Sequence, residues 1–123
     1  MRRFLAKGTA CVEKRQTDSA LTYYSLVLSR YRPTMPDSLK RLCCKAANNM
    51  GYTYFFQRQN YPQSYKYYLR AIELSEEIGD TLSAVYAHLN IGNVFSVYGN
   101  QQEAFSRYRR AFNGALRRGD HAI

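Results

Sequence analysis

Small and aromatic residues recur along this chain in an order that repeats three times. Each repeat begins with a glycine, Gly8, Gly51 or Gly92. A small residue follows twelve or thirteen positions later, a tyrosine comes four positions after that, and a small apolar residue comes three further on. These positions are Ala20, Tyr24 and Val27, then Ser64, Tyr68 and Ala71, then Ala104, Tyr108 and Ala111. Self-similarity at intervals of 43 and 41 residues indicates an array of structural repeats.

Each of these glycines is expected in the middle of a helix, where glycine is normally unfavourable. It is tolerated where a second helix approaches closely, and the small residue of that second helix permits the approach from the other side. The tyrosine four positions later, and the aromatic residue three after the second and third glycines (Tyr54, Phe95), are expected to fill the space between the helices. Each repeat is therefore predicted to be a helical hairpin, and hairpins stack because one alone cannot bury its apolar face.

The helix start and stop signals predict six helices and no strand. The predicted spans are roughly 3–14, 18–31, 38–57, 60–78, 81–98 and 101–118. Thr17 or Asp18 is the expected N-cap of the second helix, and Asp37 that of the third. Asn60 is expected to open the fourth helix and Gly79 to end it. The length beyond a usual repeat of about 34 residues is expected in the first helices of the second and third hairpins.

Length and composition fit a single thin helical domain. The 123 residues predict one domain, with units at 1–32, 37–80 and 81–120. Twelve tyrosines and no tryptophan suit a solenoid, because a tyrosine ring packs while its hydroxyl reaches water. The last predicted helix carries Phe112 and Leu116, spaced so that they could receive a further helix. We therefore expect either a fragment of a longer array or a homodimer formed through these two residues.

The net charge of +9 favours an acidic partner, a nucleic acid or an anionic surface. The three cysteines, Cys11, Cys43 and Cys44, match no zinc spacing, so small buried residues are the better interpretation and no metal or cofactor is expected. No apolar run approaches the length of a membrane span, and we expect no membrane contact in this segment. The compartment stays open: cytoplasmic if the chain is complete, and periplasmic if it is part of a membrane-anchored protein.

The repeated phrases resemble the tetratricopeptide repeat over nearly the whole chain. The third unit fits best, with Asn90-Ile91-Gly92-Asn93-Val94-Phe95, Gly99-Asn100, Ala104, Tyr108 and Ala111. The resemblance implies an all-α, right-handed solenoid of three tandem hairpins that binds proteins or peptides and is not an enzyme. There is also a narrower resemblance, to the sensing regions of certain bacterial transcriptional regulators and sensor kinases. It is carried by the segment Asp18-Ser19-Ala20-Leu21-Thr22-Tyr23-Tyr24 and by the long units ending in Gly-Asp.

The resemblance also implies which residues line a concave groove. In this family the first helix of each unit lines the groove, at positions six and three before the glycine and one, four and five after it. These are Lys45, Asn48, Tyr52, Phe55 and Phe56; Tyr86, Leu89, Asn93, Ser96 and Val97; and Arg2, Leu5, Thr9, Val12 and Glu13, with Asn49 and Asn90 bordering the same surface. Such rings and amides suit an extended peptide or an amphipathic helix. Phe55 and Phe56 have a second interpretation, since adjacent helical residues cannot share one face and one of them is expected to be interhelix core.

The remaining charged and titratable residues give weaker indications of function. Arg107, Arg110 and Arg117 lie at helical spacing and would contact phosphate or an acidic protein, or would form a solvated outer face, which we favour. His88 is expected in the core. No nucleophile motif or phosphate-binding loop supports catalysis. A basic nucleic-acid-binding repeat is therefore the alternative to a protein-binding one.

Overall fold

The structure, a computed structural model, describes residues 1–117 of the chain. Six helices lie in that range: α1 (Arg2–Glu13), α2 (Thr17–Ser29), α3 (Asp37–Gln57), α4 (Tyr61–Glu77), α5 (Thr81–Val97) and α6 (Gln101–Arg117). They pack as three hairpins, α1 with α2, α3 with α4 and α5 with α6, while α2 contacts α3 and α4 contacts α5. The predicted all-α fold of stacked hairpins is confirmed. Arg118, Gly119 and Asp120, at the predicted end of the last unit, lie outside the described residues.

The glycine of each hairpin faces the ring of the tyrosine in the second helix. A Cβ atom added to Gly8, Gly51 or Gly92 would come within 2.6, 2.5 and 2.5 Å of a ring carbon of Tyr24, Tyr68 and Tyr108, respectively. The small residues at the crossings are buried as expected, and the Ser64 hydroxyl donates a 2.8 Å hydrogen bond to the Gly51 carbonyl. The space left free by the missing side chain of each glycine is therefore filled by the ring of a tyrosine.

The predicted N-caps of α2 and α3 are wrong. Helix α2 begins at Thr17 and is preceded by Gln16, which makes no side-chain capping bond. The Thr17 hydroxyl instead donates to Gln57 Oε1 at 2.6 Å, and the Gln57 amide donates to the Val12 carbonyl at 2.9 Å. This side chain of the second hairpin thus fixes the turn of the first. Asp37 is the first residue of α3, where a carboxylate is favourable near the helix N-terminus without capping it.

The turn between the second and third hairpins follows the prediction at Gly79 and adds a cap at Asp80. Gly79 has φ +67°, the left-handed conformation that ends a helix most readily at glycine. Asp80 then accepts hydrogen bonds from the Ser83 amide at 3.1 Å and the Ser83 hydroxyl at 2.8 Å, which starts α5. The expected cap at Asn60 is also present, since its side chain accepts a hydrogen bond from the Gln63 amide at 3.3 Å.

The extra length of α3 carries a polar contact between the first two hairpins. This helix has 21 residues, against 17 in α4, α5 and α6. The prediction of a long first helix is therefore confirmed for the second unit, whereas the two helices of the third unit are equally long. Near the start of α3, Lys40 donates to Glu77 at 2.9 Å, and the Tyr31 hydroxyl lies 2.7 and 2.8 Å from the two Glu77 oxygens. The hydrogen bonds that Tyr31 and Lys40 donate to Glu77 lower the pKa of Glu77, and the bond that Lys40 donates to Glu77 raises the pKa of Lys40.

Candidate functional site

The first helices of the three hairpins lie side by side, with α1 contacting α3 and α3 contacting α5. The predicted groove positions on α3 and α5 are mostly exposed along this surface, although they include large apolar side chains. The exposed ones are Lys45, Tyr52, Phe56, Tyr86, Leu89, Asn93 and Val97. We call this row, with the half-buried Asn48, Asn49, Phe55, Asn90 and Ser96, the groove face.

The asparagines of the groove face are partly engaged in bonds within the fold. Asn90 donates to Asn48 across α5 and α3 at 3.0 Å, so each amide keeps only part of its capacity for a ligand. Asn93 accepts a 2.6 Å hydrogen bond from the Tyr108 hydroxyl of its own hairpin. Thr9 occupies the same position in the first hairpin, and its hydroxyl oxygen lies 3.3 Å from that of Tyr24. Sequence reasoning treated these side chains as free for a ligand and missed this pairing with the tyrosines.

The second hairpin has Tyr52 where the others have a small polar residue. The Tyr52 side chain is 46% exposed and that of Phe56 is 51% exposed, and their ring centroids lie 4.6 Å apart. The ring centroids of Phe56 and Phe55 lie 4.7 Å apart. Of the two phenylalanines, Phe55 is the half-buried one, which fits the expectation that one of them would be interhelix core.

The contacts of these rings continue beyond the predicted groove. Phe55 lies 5.2 Å from Tyr61, and Tyr61 lies 5.7 Å from Tyr98 in an edge-to-face arrangement. The five rings form one aromatic cluster, comprising Tyr52, Phe55, Phe56, Tyr61 and Tyr98. Tyr61 and Tyr98 were missed by sequence reasoning. Both flank the turns inside their hairpins, and hairpins stacked in parallel place those turns at the same end of the array.

Two basic side chains lie where α1 and α3 meet beside the groove face. A hollow of about 480 Å³ between these helices is lined by Arg2 and Lys45, together with Leu5, Leu42 and the carboxylate-bearing Glu13 among others. Neither Arg2 nor Lys45 pairs with a carboxylate within the described residues, whereas Arg41 pairs with Asp80 at 3.1 Å. A smaller hollow of about 200 Å³, which includes Val12, Glu13, Asn49 and Tyr52, adjoins it. The surface thus has a cationic end and an aromatic end.

The predicted interpretation of the arginine stripe on α6 holds only in part. Arg110 is exposed, but Arg107 is half-buried, with its Nε 3.4 Å from Glu103 Oε1, so it is not a freely solvated side chain. The Arg117 side chain lies outside the described residues. Phe112 and Leu116, predicted for self-association, are each 44% exposed, and that role stays a prediction.

The thiols of α3 and the acidic side chains suggest no reactive centre. Cys43 and Cys44 are buried, and burial raises the pKa of the Cys44 thiol to about 11, so the unreactive protonated form predominates near neutral pH. Within residues 1–117 no group of three His, Cys, Asp or Glu side chains is placed to hold a metal ion. None of the helices in this range is long and apolar enough to cross a membrane.

A family model of the tetratricopeptide repeat matches residues 42–117, more than half of the chain. This protein belongs to the tetratricopeptide repeat family. No curated protein matches the chain in a sequence search. Repeats of this family generally mediate protein–protein interaction and typically serve as non-catalytic scaffolds, which supports a role for this chain as a binding scaffold.

Proposed function

We propose that this protein binds a segment of a partner protein along the groove face of α3 and α5 and the adjoining side of α1. The observation that carries the proposal is the exposure of the large apolar side chains there. On α3 the exposed ones, Tyr52 and Phe56, both lie on the groove face, and on α5 so do Tyr86, Leu89 and Val97. Leu82, the remaining one within α5, falls on the same helical stripe. An apolar surface rimmed by polar groups is typical of an interaction site.

The charge distribution supports a partner segment with two chemical parts. An acidic residue would complement Arg2 and Lys45, whose charges have no carboxylate partner within residues 1–117. Apolar or aromatic side chains would bury against Tyr52 and Phe56, where rigid rings supply contact area at low entropic cost. The net charge of +9 would speed the encounter with an acidic partner.

The experiment is a selection of binding peptides from a random display library on the folded protein, followed by affinity measurements with purified variants. Tyr52→Ala combined with Asn93→Ala should weaken binding of the selected peptides by about tenfold or more, which is the loss of affinity expected for a central aromatic contact. Phe105→Ala removes another exposed ring, on α6 and outside the groove face, and is the control. Unchanged affinity in the groove variant, with weaker binding in the control, would place the site elsewhere. Tight binding of mixed DNA with a steep salt dependence would instead favour the nucleic-acid alternative.

A narrower role, as the sensing segment of a larger bacterial regulator, stays a prediction that rests on the segment 18–24 and on the long units. It is tested by reading the natural gene around this segment. A helix-turn-helix or histidine-kinase domain encoded in the same frame would support it, and a gene holding repeats alone would contradict it.

A further inference from the structure

A second candidate site lies on a different side of α5 from the groove face. Here the ends of α4 and α6 flank the start of α5 and border a pocket of about 310 Å³. Its floor is formed by Thr81, Ala84, Val85 and His88, which follow one stripe of α5 at the spacing of one helical face. Tyr86, Leu89 and Asn93 of the groove face lie on a separate stripe, centred roughly 120° away around the helix. The pocket and the groove face are therefore distinct surfaces of α5.

The floor of the pocket includes the imidazole of His88. Its Nδ1 atom is sealed from solvent and makes no hydrogen bond within residues 1–117, so the ring meets the pocket through its other atoms. The equivalent position of the second hairpin, four residues before its glycine, is the buried Ala47, so packing at this position does not require an imidazole.

The walls of the pocket carry opposite charges. Arg110 and Asn113 line it from α6, and Arg110 pairs with no carboxylate within the described residues. Glu76, from α4, and Asp80, from the turn after α4, line the other side, where Asp80 is already bound to Arg41 and Ser83. A singly charged anion can bond to the donors of α5 and α6, whereas a doubly charged one would be repelled more strongly by the two carboxylates.

We propose that this pocket binds a carboxylate group, held by hydrogen bonds from Arg110 and Asn113 beside the His88 ring. The arginine supplies charge-assisted bonds and the amide supplies a further donor. The carboxylate belongs either to a free small acid or to an aspartate or glutamate side chain of a bound protein, because both present the same two oxygens.

The charged neighbours of His88 give this binding a measurable signature. Burial, with Arg107 and Arg110 nearby, lowers the pKa of His88 to about 4, so the ring is neutral near pH 7. A bound carboxylate favours the protonated imidazole, and it therefore raises the His88 pKa even though Glu76 and Asp80 already face the pocket. Binding should accordingly become tighter as the pH falls through the raised pKa of His88, until the ligand carboxylate itself becomes protonated.

The test is an NMR titration of the His88 ring resonances, assigned by their loss in His88→Gln, in the full 123-residue chain. Three probes are added at constant ionic strength: sodium acetate, N-acetyl-glutamate amide (a blocked residue that presents a side-chain carboxylate) and inorganic phosphate. We expect saturable shifts and a raised His88 pKa with at least one of the two carboxylates. Response to acetate alone identifies a site for free acids, and response to the blocked residue identifies a site that accepts protein side chains.

Two matched variants separate the pocket from the general basicity of α6. Arg110→Gln should weaken carboxylate binding by about tenfold or more, the loss expected for a charge-assisted hydrogen bond. Arg109→Gln removes the same charge from the adjacent residue, which packs over the Phe105 ring outside the pocket, and should change the affinity less than twofold. The proposal is overturned if neither carboxylate gives a saturable shift, if phosphate binds more tightly than both, or if the two arginine variants weaken binding equally.

Discussion

The contact between Gly51 and Tyr68 predicts an unusual response to the mildest of substitutions. Gly51→Ala should destabilise the protein although alanine is the better helix former by about 1 kcal/mol. The added Cβ atom would lie 2.5 Å from Cδ1 of Tyr68, a ring that is only 1% exposed and so has no solvent to move into. Overpacking of this kind costs about 1–3 kcal/mol. Because the approach is only 2.5 Å and the ring cannot move away, the cost should lie in the upper part of that range, about 2–3 kcal/mol. The net loss should therefore be about 1–2 kcal/mol, which lowers Tm by roughly 3–5 °C for each kcal/mol.

The third hairpin provides the matched comparison. Gly92→Ala creates the same 2.5 Å approach to Tyr108, but Tyr108 is only half-buried and its ring can swing toward solvent. The cost there should be smaller by about 1 kcal/mol, because the ring relaxes. In a Tyr68→Leu background Gly51→Ala should lose its penalty, giving a coupling energy of about 1 kcal/mol or more in urea denaturation followed by circular dichroism. Gly51→Ala melting at or above the Tm of the parent protein would refute the reasoning.

Two further predictions concern α4 and α6. The pKa of Glu77 is lowered in the folded state, so its contribution to stability is present above the ordinary carboxyl pKa of about 4.3 and is lost as the pH falls through the lower folded value. Glu77→Gln should therefore lower Tm at neutral pH, and its Tm should approach that of the parent protein in acid. Glu76→Gln, which breaks no ion pair within residues 1–117, should leave Tm unchanged at both pH values. Equal pH profiles of Tm for the two variants would contradict this reasoning. On α6, Phe112→Glu should weaken self-association of the protein in analytical ultracentrifugation, and a parent protein that stays monomeric at the highest soluble concentration would remove the basis for it.

The fold was predictable from the sequence because each hairpin repeats the same local sequence pattern. In every unit the tyrosine follows the small residue by four positions, and the glycine precedes the small residue by twelve or thirteen, so the three residues meet at the same crossing in each hairpin. The helix ends at Asn60 and Gly79 were predictable for a similar reason, since each is determined by the conformational preference of a residue at the boundary itself.

The details that sequence reasoning missed depend on residues that are distant along the chain. Thr17 has the side chain of an N-cap, but Gln57, forty residues later, takes its hydroxyl. Tyr61 and Tyr98 join the aromatic cluster because separate hairpins align their turns at one end. The identity of a residue predicts its capacity to form a bond, and only the packing of the hairpins decides which partner reaches it.

The candidate sites were predictable from the sequence only in part. The resemblance to the tetratricopeptide repeat was sufficient to find the exposed apolar row on α3 and α5, because it gives the groove positions relative to each glycine. It could not reveal that Asn48 and Asn90 bond to each other, or that His88 lies beneath a pocket rather than in a filled core. Both features require knowing how far apart two helices stand.

The central claim is that the groove face of the first helices binds the partner, and mapping a bound peptide by NMR tests it most directly. A peptide obtained by selection on the folded protein is titrated into isotope-labelled protein, and the backbone amide shifts are followed along all six helices. The account predicts that the largest shifts fall on α3 between Lys45 and Phe56 and on α5 between Tyr86 and Val97. Shifts concentrated on α2, α4 and α6, with α3 and α5 unchanged, would contradict it.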